Sequence, residues 1–312
     1  MDWITGWMLR RFVKDYGNTS DPRVRTVYGY VEAWVSIGGN VVIAAVNFSL
    51  GVALNSIALI AQSVHTASDV VTSVVVLIGF RAAAQPPDER HPYGHGRVES
   101  VATLVIAVLL LLVGLEFAGR SIDRVLHGAE VKGNPVIILA LLTIGIAKEW
   151  MARFSISLGR SIGSPALEAD AWHHRSDAIA SAMVAISIGS AAAGYPTVDA
   201  FLGIAVSALI LYTGAKLALS SASSLMGESA DPGLVAKITG AVRSVDGVNG
   251  VHGLSVHDYG GVKIASIHIQ VDPKMNVSDS HRIAGAVKYA VLEAASVECV
   301  VHVEPDGEAS RG

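Results

Sequence analysis

The sequence predicts a membrane α-helical protein, with a bundle of six transmembrane helices followed by a small cytoplasmic α+β domain. Three observations carry that prediction. The 312 residues are 51% hydrophobic and only 16% charged, where soluble proteins average about 25% charge, and mean hydropathy is +0.48. Six apolar stretches are each about the 20 residues needed to cross roughly 30 Å of hydrocarbon. After Met226 the apolar pattern gives way to a charged, alternating one.

In chain order, residues 1–28 carry Arg10, Arg11, Lys14, Arg23 and Arg25 without a long apolar core. That argues against a cleaved leader and for a cytoplasmic N-terminal segment. The spans fall at about 29–53, 56–83, 98–123, 135–157, 168–192 and 198–221, so residues 29–222 form the transmembrane domain. The links after the first and fifth spans contain no Lys or Arg, whereas 81–97 holds Arg81, Arg90 and Arg97, and the fourth link holds Arg153 and Arg160. The positive-inside rule then places both termini and these two basic links in the cytoplasm. Arg124 and Lys132 in the third link weaken the asymmetry without reversing it.

Residues 227–308 read as helix, strand, strand, helix, strand, a cytoplasmic regulatory or dimerisation domain. In 263–272, Ala265, Ile267, Ile269 and Val271 form the apolar side, leaving Ser266, His268 and Gln270 on the other face. In 299–304, Cys299, Val301 and Val303 point one way while His302 and Glu304 share the opposite face. Net charge of −4 with no Lys/Arg-rich run excludes a nucleic-acid partner. Cys299 is the only cysteine, so neither an intrachain disulfide nor a thiolate metal site can form.

The chemistry is concentrated in a repeated pair. His65-x-x-x-Asp69 recurs as His173-x-x-x-Asp177, each inside a span. Residues four apart lie on one helix face about 6 Å along the axis. Two such helices facing each other present two imidazoles and two carboxylates, a tetrahedral set for a divalent metal. Insertion into hydrocarbon costs roughly 2.5–3.5 kcal/mol per charged group, so such residues rarely sit there without a task. An N₂O₂ site suits Zn²⁺ and also admits Co²⁺, Cd²⁺ or Fe²⁺.

A second group is Asp88, His91 and His95, in a link kept irregular by Pro86, Pro87, Pro92, Gly94 and Gly96. A third is His252, His268, His281, His302 and Glu304 in the C-terminal domain, with His257 the most incidental histidine there. Other polar residues read as structural. Glu116, Lys148 and Glu149 are expected to pair with one another or to snorkel. His174 points about 100° away from the His173 pair. Asn47, Gly38, Gly39 and Gly51 serve helix contact.

SVHTASD, PDERHPYGHGR and DAWHHRSD, in that order and at those positions relative to the spans, resemble the motifs of the cation diffusion facilitator family. The resemblance covers about residues 29–305. It implies a homodimeric proton-coupled antiporter that exports divalent metal, foremost Zn²⁺, across the inner (plasma) membrane, with a metallochaperone-like C-terminal domain. His65, Asp69, His173 and Asp177 match the family's transport site, Asp88, His91 and His95 its loop site, and His252, His268, His281, His302 and Glu304 a binuclear site. His65, in place of the Asp of many bacterial relatives, resembles the zinc-preferring branch, although residues 158–166 lack that branch's histidines. Glu304 stands where Asp is common. Arg97 matches the basic half of an interface ion pair, with Gly227 near the acidic position and Glu228 or Asp231 as substitutes.

Alternatives within this reading are Fe²⁺, Cd²⁺, Co²⁺ or Mn²⁺ as the preferred ion, or a non-transporting metal sensor or partner subunit. An intramembrane zinc hydrolase would need an open ligand position and a general base. The chain has no His-Glu-x-x-His, so it is not expected to be an enzyme.

Overall fold

The structure is a computed structural model that describes residues 3–13, 15–19, 21–53, 57–127, 135–192 and 198–307. The links at 54–56, 128–134 (with Lys132) and 193–197, and the tail after 307, lie outside the described residues. The chain divides into two compact units, Met1–Gln85 with Arg97–Ala222, and Pro86–Gly96 with Ser223–Gly312.

The first unit is helical: α1 (Trp3–Phe12), α2 (Pro22–Ala53), α3 (Ile57–Ser68), α4 (Val70–Ala83), α5 (Val98–His127), α6 (Pro135–Ile162), α7 (Pro165–Ala192) and α8 (Val198–Met226). Among the described residues, five segments are long and apolar enough to cross a membrane: Arg23–Ala53, Gln62–Ala83, Val98–Asp123, Pro135–Ile162 and Gly203–Met226. The other expected span, α7, is 28 residues long but carries Glu168, Asp170, Arg175 and Asp177, which lower its hydropathy. Val42, Phe48, Leu112, Leu139, Ile146 and Leu219 are exposed apolar side chains on these helices.

Local signals set the helix boundaries. Asp21 accepts from the Arg23 amide at 2.7 Å and Pro22 opens α2, a cap followed by the residue whose missing N–H costs nothing there. The expected second span is interrupted at Asp69, which separates α3 from α4. There the Thr72 amide and hydroxyl both donate to the Asp69 carbonyl, at 3.2 and 2.7 Å. That i→i+3 tightening is the usual mark of a local helix irregularity.

The α6–α7 turn is two residues long. Gly163 has φ +59°, and the Ser164 amide donates back to Gly159 O at 2.8 Å, a Schellman closure that needs the left-handed glycine. Ser164 then caps α7 through the Leu167 amide at 3.3 Å, with Pro165 in the first position. So short a turn makes α6 and α7 antiparallel neighbours. A Cβ on Gly145 would lie 3.3 Å from Ala178 O, so glycine permits this close approach.

The second unit holds α9 (Pro232–Arg243), β1 (Gly250–Asp258), β2 (Lys263–Val271), α10 (Val277–Ala295) and β3 (Glu298–Pro305). The sheet order is β1-β2-β3, with β1 antiparallel to β2 and β2 parallel to β3. The parallel pair is joined by α10, as a crossover requires. Asp231 caps α9, accepting from Leu234 N at 3.0 Å. The core unites Ile238 and Val242 of α9, Ile283, Val287 and Val291 of α10, and Ala265, Ile267, Ile269 and Cys299 of the sheet. Both helices therefore cover one face of the sheet. Burial holds the Cys299 thiol above its usual range, an inert buried thiol.

Candidate metal centres

The break at Asp69 and the α6–α7 turn bring the two His-x-x-x-Asp pairs together. Asp69, His173 and Asp177 are buried, while His65 keeps 44% of its side chain exposed. His65 Nε2 lies 3.9 Å from Asp69 Oδ1 and 4.0 Å from Asp177 Oδ1. His173 Nε2 lies 3.5 Å from Asp69 Oδ1 and 3.8 Å from Asp177 Oδ2. Two imidazoles and two carboxylates thus face a common point.

The chain itself supplies a cation at that point. Lys148, 1% exposed, donates from Nζ to Asp69 Oδ2 at 2.6 Å and to Asp177 Oδ2 at 2.7 Å. The α6–α7 turn explains the match: Lys148 lies about as far before it as Asp177 lies after it. Two buried carboxylates left unpaired would be strongly unfavourable, and the ammonium neutralises half their charge.

A different buried group lies closer to the turn. Asp170 and His174 on α7, Glu32 and Ser36 on α2 and Ser155 on α6 are all 0% exposed. His174 Nε2 is 3.2 Å from Asp170 Oδ2 and 3.0 Å from Ser36 Oγ, and Ser36 donates to Glu32 Oε1 at 2.8 Å. Ser155 donates to the same Glu32 oxygen.

In the loop, Asp88 Oδ1 accepts from the amides of Arg90 and His91 at 2.9 and 2.6 Å, which folds the segment around the carboxylate. His91 Nδ1 and His95 Nε2 each lie 3.4 Å from an Asp88 oxygen. The His91 amide, with the two imidazoles, holds the Asp88 carboxyl below the usual range. This loop packs within the second unit, where Tyr93 meets Tyr259 with ring centroids 4.7 Å apart.

On the sheet, strand register builds the third centre. His252 pairs with His268 and His268 with His302 across adjacent strands, with ring centroids 5.2 and 4.7 Å apart. Glu304 receives them all: His268 Nδ1 at 2.7 Å, His252 Nε2 at 3.2 Å and His302 Nε2 at 3.6 Å. The hydrogen bond from His268, more than any other contact, holds Glu304 below the ordinary carboxylate range.

Two family models match the chain: the cation efflux transmembrane domain over residues 33–226 and the cation efflux protein cytoplasmic domain over residues 230–306. The chain belongs to the cation efflux, or cation diffusion facilitator, family. An uncharacterized transporter of Methanocaldococcus jannaschii is 32% identical over 86% of this chain and 96% of its own. Metal tolerance protein 2 of Oryza sativa subsp. japonica is 30% identical over 86% of this chain and 76% of its own. The magnetosome protein MamB of Magnetospirillum gryphiswaldense is 30% identical over 78% of this chain and 82% of its own. A solved MamM C-terminal domain in a nickel form is 29% identical over 25% of this chain and 100% of its own, with a TM-score of 0.23. Members of this family are divalent-cation transporters of the membrane rather than enzymes.

Within this family chain the structure assembles most of the expected residues. His65, Asp69, His173 and Asp177 converge, as do Asp88, His91 and His95, and His252, His268, His302 and Glu304. His281 is exposed on α10, which packs on the sheet face opposite the histidines, so it stands outside its expected group. His257 is also apart, touching Ser255 at 3.4 Å. The expected pairing of Lys148 with Glu149 or Glu116 is replaced. Glu149 binds Arg153 and Arg175, Glu116 binds Arg120, and Lys148 turns to the two aspartates. Asn47 is buried with no hydrogen-bond partner for its amide among the described residues. The role of Lys148 is the main point that sequence reasoning missed. Its signal was a lysine near the middle of an apolar helix.

Proposed function

We propose that this chain exports divalent metal, foremost Zn²⁺, from the cytoplasm in exchange for protons, with His65, Asp69, His173 and Asp177 as the transport ligands. One observation carries this reading: four donors of zinc-binding type converge on a buried centre where two carboxylates already hold a cation, the Lys148 ammonium. Metal arriving at the centre takes the Asp69 and Asp177 oxygens, and Lys148 gives them up. Metal and protons compete for the same imidazole and carboxylate lone pairs, so loading releases protons and reprotonation favours release of the ion. His65 is the most accessible of the four donors and is suited to first contact.

Asp88, His91 and His95 would hold a metal near the loop. Their donor set fits, and Asp88 is prearranged by two backbone amides. His252, His268, His302 and Glu304 would hold one on the sheet, where metal would draw three strands to one carboxylate. We read this as a regulatory site in a homodimer. Fe²⁺, Cd²⁺, Co²⁺ and Mn²⁺ are the competing substrates.

The test is Zn²⁺ flux into dye-loaded proteoliposomes under an imposed pH gradient. Flux that follows the gradient and vanishes in Asp69→Ala supports the reading. Full flux in that variant removes the site assignment, and metal binding without flux for any ion points to a sensor or partner subunit.

A further inference from the structure

We propose that Glu32, Asp170 and His174 form a second buried divalent-cation site, a station for the transported ion between the α6–α7 turn and the His65–Asp69–His173–Asp177 centre. The inference rests on the transporter reading above.

Each of the three residues offers a ligand atom within 4.8 Å of the others, and all three are 0% exposed. Several atoms in the cluster lack hydrogen-bond partners: Glu32 Oε2, Asp170 Oδ1 and His174 Nδ1. Such orphans are rare in folded interiors, because each lost its water without gaining a bond. The contrast with the neighbouring centre is the argument. There, two carboxylates hold Lys148. Here, among the described residues, no Lys or Arg ion-pairs with either carboxylate, and His174 is the basic group at hand. Two carboxylates in so dry a place require a cation or a proton. Two carboxylates, an imidazole and the Ser36 hydroxyl make a mixed O/N set that suits Zn²⁺, Fe²⁺, Co²⁺ or Mn²⁺.

Position supports the same assignment. Asp170 and His174 straddle the level of Ser155 across the α6–α7 seam, while Asp177 lies level with Lys148. On α7 each ligand of the second cluster lies three residues nearer the turn than its counterpart in the first, about 4.5 Å at 1.5 Å per residue. His173 and His174, one from each cluster, have ring centroids 5.9 Å apart. An ion held first by His174 thus has the His173 ligand set as its next stop, and two stations let it enter firmly and still leave.

Zinc bound per chain is the direct readout. The purified full chain is equilibrated by dialysis against Zn²⁺ and its metal counted by mass spectrometry, for wild type, Asp170→Asn, Glu32→Gln, Asp69→Asn with Asp177→Asn, and the combination of Asp170→Asn with that pair. Loop and sheet sites are common to every arm. Asp170→Asn and Glu32→Gln should each lose one zinc per chain, the paired variant one, and the combination two. Wild-type counts in both single variants would mean that the carboxylates share a proton instead, and the station falls. It falls equally if the combination loses no more than the paired variant. Should Asp170→Asn not fold, Glu32→Gln, which leaves the Asp170–His174 contact in place, decides alone. A paired variant with the full count would instead sink the transport-site reading, independently of this one.

Discussion

The helical centre around Asp69 and the sheet centre around Glu304 use the same two functional groups in opposite settings. In the first, the carboxylates are buried and Lys148 ion-pairs with both. In the second, Glu304 is 23% exposed, water can solvate it, and the histidines alone surround it. The difference indicates that burial, more than the identity of the side chains, decides whether a carboxylate cluster carries a lysine of its own. Under the proposed function, Lys148 would compete with the ion, lower its affinity and ease its release. The solvated sheet cluster, proposed above as regulatory, would meet no such competitor.

Four experiments would break or sharpen this comparison. The largest effect is expected for Asp69→Ala or Asp177→Ala. Loss of a group that merely hydrogen-bonds a metal ligand already costs about 10–100-fold, so loss of a ligand should reduce Zn²⁺ flux by about 100-fold or more. Zinc binding by the sheet centre should persist in both. Equal loss of binding at both centres would show them to be one coupled unit.

Next comes Lys148→Met. Leaving two buried carboxylates uncompensated should destabilise the metal-free protein by about 3–5 kcal/mol. Zinc should then bind about tenfold tighter or more, restore thermal stability and leave more slowly. Unchanged affinity in calorimetry would refute the competitor role.

Glu304→Gln probes the other side. It should weaken zinc binding in the C-terminal domain and leave saturating flux within a few-fold of wild type. It should also alter acid stability in a defined sense. A carboxyl held low in the folded state contributes stability above its ordinary range, and loses it as pH falls through the depressed value. Metal-free wild type should therefore lose thermal stability below about pH 4.5 more steeply than Glu304→Gln. Parallel curves for the two proteins would remove Glu304 from the account.

The smallest effect belongs to Asp231→Ala, which deletes the α9 cap. About 0.5–2 kcal/mol of C-terminal domain stability should go, with Zn²⁺ flux unchanged. A loss of flux would show that the start of α9 matters to transport and not to folding alone.

Much of this was legible along the chain. Apolar length marks spans without any tertiary knowledge, and period-two alternation correctly placed His268, His302 and Glu304 on the face away from the core. The i, i+4 spacing was enough to bring His65 to Asp69 and His173 to Asp177. Less visible was the break at Asp69, which no glycine or proline announces. His281, at a matching position in the sequence, lies exposed on α10, which covers the sheet face away from the other three histidines.

By itself, then, the sequence determined membrane insertion, family, strand faces and the two His-Asp pairs, because hydropathy, motif and periodicity are properties of neighbours along one chain. The tertiary structure alone decided that Lys148 would sit between Asp69 and Asp177, and that Glu32 would meet Asp170 and His174. Those are choices between helices far apart in sequence. They depend on the two-residue α6–α7 turn and on the cost of burying charge, which is settled only once it is known what surrounds each carboxylate.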